Sequence, residues 1–215
     1  MTTRLDLRLI LRRRLSDTNT HPLWDDDFLN DAITEGIRRY STPVPRQAVI
    51  APHVLAGARE IELPPTVNAM RVVHVFDDRG IPWRRWEEQR DPPPSPTGFA
   101  EVPAVWRAWA TSVILGTPAP RSGTWRLEYY ANRLEPIDDY LDLDISPGDE
   151  DLVLALTFAV ALSRRAVAEG KRYNGRGGVH PIAAAARTAQ ADADRLIWRR
   201  FRVVRSGTLN NTVAD

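Results

Sequence analysis

Apolar residues recur at helical spacing near both ends of the chain. Leu7, Leu11 and Leu15 fall on one face of a predicted N-terminal helix, and the arginines around them are typical of a solvated face. Towards the C-terminus, longer apolar stripes predict helices over residues 147–169 and 181–201. Alanines on the last of these permit close helix packing.

Three consecutive aspartates follow the first helix and raise the question of a metal cluster. As an N-cap, Asp25 would leave Asp26 and Asp27 in the first turn of a second helix, where carboxylates complement the free N–H groups. Trp24 and Leu29 then have the spacing of a hydrophobic staple. Consecutive residues on a helix point in different directions, so we interpret the triplet as a helix start.

The middle of the chain changes to alternating polar and apolar positions, which is typical of strands. A DDRG turn between two such stretches predicts a hairpin. The proline-rich residues 91–98 are expected to form a loop. The strand-like stretches, about five in number, are REIELPP, MRVVHVF, IPWRRW, VWRAWATSVILG and TWRLEYYANR.

This order of elements predicts an α+β fold. Helices from both ends form one discontinuous bundle, residues 1–50 and 138–201. Residues 54–135 form an inserted small sheet or partial barrel, and residues 202–215 form an extended C-terminal tail.

Composition narrows the function classes. The 215 residues include no cysteine, which excludes disulfides, thiol catalysis and cysteine-based metal sites. The formal net charge of +1 is unlike that of a dedicated nucleic-acid binder. No apolar run approaches the ~20 residues of a membrane span and no signal peptide is recognisable, so we expect a protein that stays in the cell that makes it or is packed into something assembled there.

No catalytic constellation is visible in the sequence. Nucleophile-elbow, phosphate-loop and dinucleotide-binding motifs are missing, and the histidines have no partner histidine at helical spacing. A glycine-containing stretch, KRYNGRGG, is open to two interpretations, a phosphate contact or a plain interhelical loop. The four histidines are His21, His53, His74 and His180.

One acidic stretch superficially resembles a calcium loop, with Asp142, Asp144 and Ser146 at alternate positions. Pro147 stands where such a loop needs its glycine. We therefore interpret this stretch as a helix start, with Ser146 as cap and Asp149 in the first turn.

Several stretches, taken together and in order, resemble the head-to-tail adaptor (connector) proteins of tailed bacteriophages. The resemblance covers most of residues 5–200, and Asn30, Ala32 and Ile33 match the family's second helix. The proline-rich loop and VWRAWA have no counterpart. The stretches are LRLILRRRLSDTNTHPLWDDDFLNDAITEGIRRYS, GAREIELPP, RVVHVF, WRLEYYANRLEP and DEDLVLALTFAVALSRRAVAEGK.

The resemblance implies a structural virion protein rather than an enzyme, with no cofactor and no metal. It implies a homo-oligomeric, twelvefold ring in the virion neck, assembled in the host cytoplasm between the portal protein and the next tail or neck protein. Double-stranded DNA would pass through the ring, and a near-neutral charge suits a conduit that does not grip phosphate. Another neck protein, a stopper or terminator, and an enzyme or small-molecule-binding domain are the alternatives.

Residue predictions follow from this resemblance. The C-terminal tail is expected to bind the portal, and the basic stretch after the third helix to face the channel or a neighbouring subunit. Aromatics of the β insertion among Trp83, Trp86, Trp106 and Trp109 either contact a partner or form the core of the sheet. The portal-binding candidates are Arg202, Val203, Val204, Arg205 and Leu209, and the channel or inter-subunit candidates are Lys171, Arg172 and Arg176.

Overall fold

The computed structural model describes residues 2–19, 22–86, 104–172 and 181–210. The chain divides into two compact units. A helical unit comprises the residues up to Pro45 and those from Asn132 onward, and a sheet unit comprises Arg46–Ala131. This arrangement confirms the predicted α+β class with an inserted sheet.

The helical unit contains four helices within the described residues. Helix α3 packs against both α2 and α4, and α1 packs against α2. The core consists of apolar side chains from all four helices. The helices are α1 (Arg4–Arg14), α2 (Asp26–Ser41), α3 (Glu150–Arg172) and α4 (Pro181–Asn210).

Helices α1 and α2 begin with side-chain caps. The Thr3 hydroxyl accepts from the Asp6 amide while the Asp6 carboxylate accepts from the Thr3 amide, which is a capping box. The Asp25 carboxylate accepts from the Phe28 amide at 2.6 Å. The predicted cap at Asp25 is therefore confirmed.

The sheet unit is a curled sheet with the strand order β1-β9-β4-β5-β6-β7-β3, beside a small β2-β8 pair. Neighbouring strands are antiparallel except β5 and β6. The predicted hairpin is confirmed by the pairing of Val75 with Trp83. The strands are β1 (Arg46–Ile50), β2 (His53–Val54), β3 (Glu60–Glu62), β4 (Val72–Phe76), β5 (Pro82–Arg85), β6 (Val105–Trp109), β7 (Ser112–Leu115), β8 (Gly123–Thr124) and β9 (Arg126–Ala131), with a 3-10 turn at Ala69–Arg71.

The stretch VWRAWATSVILG was expected to be one strand and is a hairpin. The chain reverses between β6 and β7, and Trp106 pairs with Leu115. Ala110 adopts a left-handed conformation with φ +48° at the reversal. No glycine, proline or asparagine marks this turn, so its sequence carries no ordinary turn signal.

Predicted boundaries shift at four places. The inserted sheet unit, expected to end at residue 135, ends at Ala131. Strand β1, expected in the bundle, pairs with β9 and belongs to the sheet unit. Helix α3 begins at Glu150 rather than Pro147, because the chain turns at Gly148 with φ +84° and the Asp149 amide donates to the Ser146 carbonyl. At its other end α3 continues past Gly170, where the sequence predicted a stop.

The predicted extended tail is wrong over residues 202–210, because α4 continues to Asn210. No proline interrupts this stretch, and arginine is a good helix former. Residues 211–215 lie outside the described part of the chain.

Helices α2 and α3 approach each other closely at Gly36. A Cβ added there would overlap the Thr157 hydroxyl and meet the Thr157 backbone at 3.1 Å. Thr157 is fully buried and its hydroxyl donates to the Val153 carbonyl at 2.8 Å. This crossing therefore requires a residue without a side chain.

We expect Gly36→Ala to lower the free energy of unfolding by about 1–3 kcal/mol, because the added methyl overpacks the crossing. Gly170→Ala is the matched control, since nothing lies within 4 Å of its added Cβ. It should leave stability unchanged or raise it by up to about 1 kcal/mol. Urea unfolding measures both, and equal stability of the two variants would contradict the close approach.

Candidate assembly surfaces

The acidic triplet joins α1 to α2. Beyond the Asp25 cap, the Asp26 carboxylate lies 2.6 Å from Arg12 Nη2 and 3.5 Å from Arg8 Nε. Arg8 is only 8% exposed. The interpretation of the triplet as a helix start is confirmed, whereas the interpretation of Arg8 and Arg12 as part of a solvated face is wrong.

A buried carboxylate closes the connection between the two helices. Asp17 is 5% exposed and accepts from the Leu23 amide at 2.6 Å and the Trp24 amide at 3.2 Å. Arg12 Nη1 donates to the same carboxylate at 2.7 Å. These bonds satisfy a charge that would otherwise be costly to bury.

Residues 134–142, which we call the acidic segment, are bound to α1 by ion pairs. Arg4 Nε donates to Asp139 Oδ1 at 2.5 Å, and Arg8 Nη2 donates to Asp139 Oδ2 at 2.9 Å. The Leu5 amide also donates to the Asp139 carbonyl. Hydrogen bonds from Arg4 and then Arg8 hold the pKa of Asp139 below its ordinary value of 3.8. The backbone of the acidic segment is thus held in place.

Four large apolar side chains of this segment nevertheless face solvent. The exposed fractions are 60% for Leu134, 90% for Ile137, 78% for Tyr140 and 62% for Leu141. Single exposed apolar residues are ordinary, but a contiguous group is typical of a contact surface. The acidic segment is therefore the first candidate assembly surface.

The same segment carries free negative charge. Residues 134–151 contain acidic side chains and no lysine or arginine. Glu135 is paired with Arg38 at 2.8 Å. Asp138 and Asp142 are exposed and have no ion pair with any described residue. This surface is apolar and anionic.

The second candidate surface lies on the outer face of α4. Trp198 is 70% exposed, and it is flanked one helical turn away by the exposed Arg195 and next in sequence by the exposed Arg199. Arg195 Nη1 lies 2.8 Å from Asp192 Oδ1. We call Arg195, Trp198 and Arg199 the arginine stripe. It is aromatic and cationic.

A buried polar contact fixes this end of α4. The Tyr40 hydroxyl donates to Asp149 Oδ2 at 2.7 Å, and Arg200 Nε lies 2.9 Å from Asp149 Oδ1. Asp149 is 5% exposed. Burial, together with the neighbouring Asp149 carboxylate, raises the pKa of Tyr40. The contact ties α4 to the start of α3 and to α2.

The tryptophans of the sheet unit divide into two groups. Trp83 and Trp106 are buried, and Trp106 Nε1 donates to the Trp83 carbonyl at 3.0 Å. Trp109 is 62% exposed. The Arg107 guanidinium lies 5.4 Å from the centre of a Trp109 ring and 5.8 Å from that of Trp86. Core packing therefore accounts for Trp83 and Trp106, and Trp109 remains a candidate contact.

The structure places the predicted site residues at helix ends. Lys171 and Arg172 close α3, and Arg202, Val203, Val204, Arg205 and Leu209 lie on the backbone of α4. Their side chains, and the whole of Arg176, lie outside the described residues. Portal binding and channel contact at these positions stay predictions.

In the acidic stretch that resembles a calcium loop, Asp144 and Ser146 accept hydrogen bonds from an arginine. Arg133 Nη1 donates to Asp144 at 3.0 Å, and Arg133 Nη2 donates to the Ser146 hydroxyl at 2.6 Å. Within residues 2–19, 22–86, 104–172 and 181–210, no three histidine or acidic side chains are placed to hold a metal ion. None of the helices in that part of the chain is long and apolar enough to cross a membrane.

Sequence reasoning missed both surfaces. The useful signal was the spacing of Arg4, Arg8 and Arg12, which places three cations on one face of α1. Once other parts of the chain bury that face of α1, its arginines need anionic partners, because an unpaired buried charge is costly. Comparison of the chain with protein-family models and with curated proteins finds no match in either case.

We expect Asp139→Asn to release the acidic segment, because the variant keeps the size of the side chain but loses the charge that holds Arg4 and Arg8. Amide hydrogen exchange at residues 136–143 should rise at pH 7. Asp138→Asn is the matched control, since its carboxylate accepts only from the Tyr140 amide among described residues. Equal exchange in both variants would contradict the role of Asp139.

The lowered pKa of Asp139 also predicts a pH dependence. A carboxyl group whose pKa is depressed by folding stabilises the folded state above its ordinary value of 3.8 and loses that contribution as the pH falls through the lowered value. The melting temperature of the wild type should therefore exceed that of Asp139→Asn at pH 7, and the difference should shrink below pH 3.8. A difference that does not vary with pH would contradict the ion-pair origin.

Proposed function

We propose that this chain is a structural subunit of a ring of the head-to-tail adaptor type, which joins the portal at the capsid vertex to the tail. The observation that carries the proposal is the acidic segment. Its backbone is tied to α1 by Asp139, yet Leu134, Ile137, Tyr140 and Leu141 are left in solvent.

Assembly explains why such a surface is retained. Apolar area removed from water stabilises a contact by roughly 25 cal/mol per Å². A surface whose backbone is already ordered loses little conformational entropy when it binds. A repeated contact between unlike surfaces closes into a ring when the rotation between subunits permits it.

The place of the ring is proposed from the resemblance to adaptor proteins. The portal would bind the C-terminal residues, from Arg202 onward, and the next neck or tail protein would contact the sheet unit near Trp109. Double-stranded DNA would pass through the ring, and the formal net charge of +1 suits passage without tight binding.

We expect purified chain, alone or mixed with isolated portal, to form a particle of about twelve times the subunit mass of 24.3 kDa. Multi-angle light scattering gives the mass and electron microscopy the symmetry. A monomer that stays monomeric at high concentration and does not bind the portal would contradict the proposal.

Removal of residues 203–215 should abolish binding to the portal while leaving the helical unit folded. Removal of residues 211–215 alone is the matched control, because it leaves α4 at its full described length. Co-sedimentation with portal measures the binding. Unchanged binding by the longer truncation would place the portal contact elsewhere.

A further inference from the structure

We propose that neighbouring subunits join by docking the acidic segment of one copy onto the arginine stripe of α4 of the next copy. This inference rests on the proposed ring and names the two surfaces that build it. The occupant of each surface is a second copy of this chain.

The two surfaces are complementary in chemistry. The acidic segment offers Ile137 and Tyr140 as apolar groups, with Asp138 beside them as a carboxylate without an ion pair to any described residue. The stripe offers the indole of Trp198 and the guanidinium of Arg199, which is exposed and likewise unpaired among the described residues. Tyrosine, tryptophan and arginine are the side chains enriched where protein contacts are strongest.

The wider charge pattern supports the same pairing. Residues 195–205 contain five arginines and no acid, whereas residues 134–151 contain eight acids and no base. Several of these charges are paired within the subunit, which leaves Asp138 and Asp142 of the acidic segment and Arg199 of the arginine stripe without an ion pair to a described residue. Opposite potentials favour correct encounter and disfavour contacts between two like surfaces. A contact of the acidic segment with its own counterpart is therefore unfavourable.

The contact joins two different surfaces of the subunit, so it is heterologous. The acidic segment is held by Arg4 and Arg8 of α1 and Arg38 of α2. The stripe belongs to α4, which packs on α3. Each subunit thus has two unlike surfaces, one for each of its neighbours, as a closed ring requires.

Both surfaces are fixed before they meet. The ion pairs of Asp139 hold the acidic segment, and the bond between Arg200 and Asp149 holds α4 two residues from Trp198. Ordered surfaces bind with a smaller entropic cost than flexible ones. The docking needs no rearrangement of the subunit.

The absence of cysteine from the sequence permits a direct cross-linking test. Ile137→Cys protein is mixed with Trp198→Cys protein and oxidised under ring-forming conditions, with portal present. We expect a disulfide-linked dimer that contains one copy of each variant. The control mixes Ile137→Cys with Leu55→Cys, a cysteine at a 64% exposed position of the sheet unit, and should give no such dimer.

A charge exchange provides the second measurement. Asp138→Arg alone and Arg199→Asp alone should each weaken ring formation roughly tenfold, because each creates a like-charge contact. The chain with both changes should recover most of the loss. Circular dichroism confirms that each variant is folded, as expected for exposed positions.

The outcomes separate the inference from the proposed function. Rings that form normally without the specific cross-link, and that ignore both charge reversals, would overturn the docking while leaving the ring in place. A wild-type chain that forms no ring, alone or on the portal, would overturn the proposed function itself. The cross-link together with the charge recovery would establish the docking.

Discussion

The helical unit depends on ion pairs that join residues far apart in the chain. Arg4 and Arg8 meet Asp139 across 135 and 131 positions, and thereby connect the first helix to the chain that returns from the sheet unit. Backbone bonds from the Leu5 amide to the Asp139 carbonyl and from the Leu143 amide to the Thr2 carbonyl reinforce this connection.

These ion pairs leave the apolar side chains beside them in solvent. Arg4 and Arg8 of α1 bind the Asp139 carboxylate, and the neighbouring Ile137 and Tyr140 side chains lie in solvent. On α4, Leu196 and Ile197 pack against the core of the helical unit. Trp198 and Arg199 are left in solvent. Packing within the subunit thus creates two unlike surfaces, one anionic and one cationic. Two unlike surfaces on one subunit are what a closed ring needs.

Local features were predictable from the sequence, and distant pairings were not. The Asp25 cap and the β4–β5 hairpin follow from residues within a few positions of one another. The partners of Asp139 lie more than a hundred residues away, so no local pattern could reveal them. The turn at Ala110 and the continuation of α4 past Arg202 were missed for other reasons. The turn at Ala110 contains no glycine, proline or asparagine. Residues 202–210 show no apolar stripe of helical spacing and contain Gly207, a residue type by which helix ends are recognised.

We propose that the exposed apolar residues of the helical unit are covered by other copies of the chain. Hydrogen exchange of the free subunit and of the assembled ring measures this coverage residue by residue. We predict that residues 134–142 and 195–199 become strongly protected on assembly, while the exposed loop around Leu55 does not. Equal exchange of the first two stretches in the free and assembled states would contradict the claim.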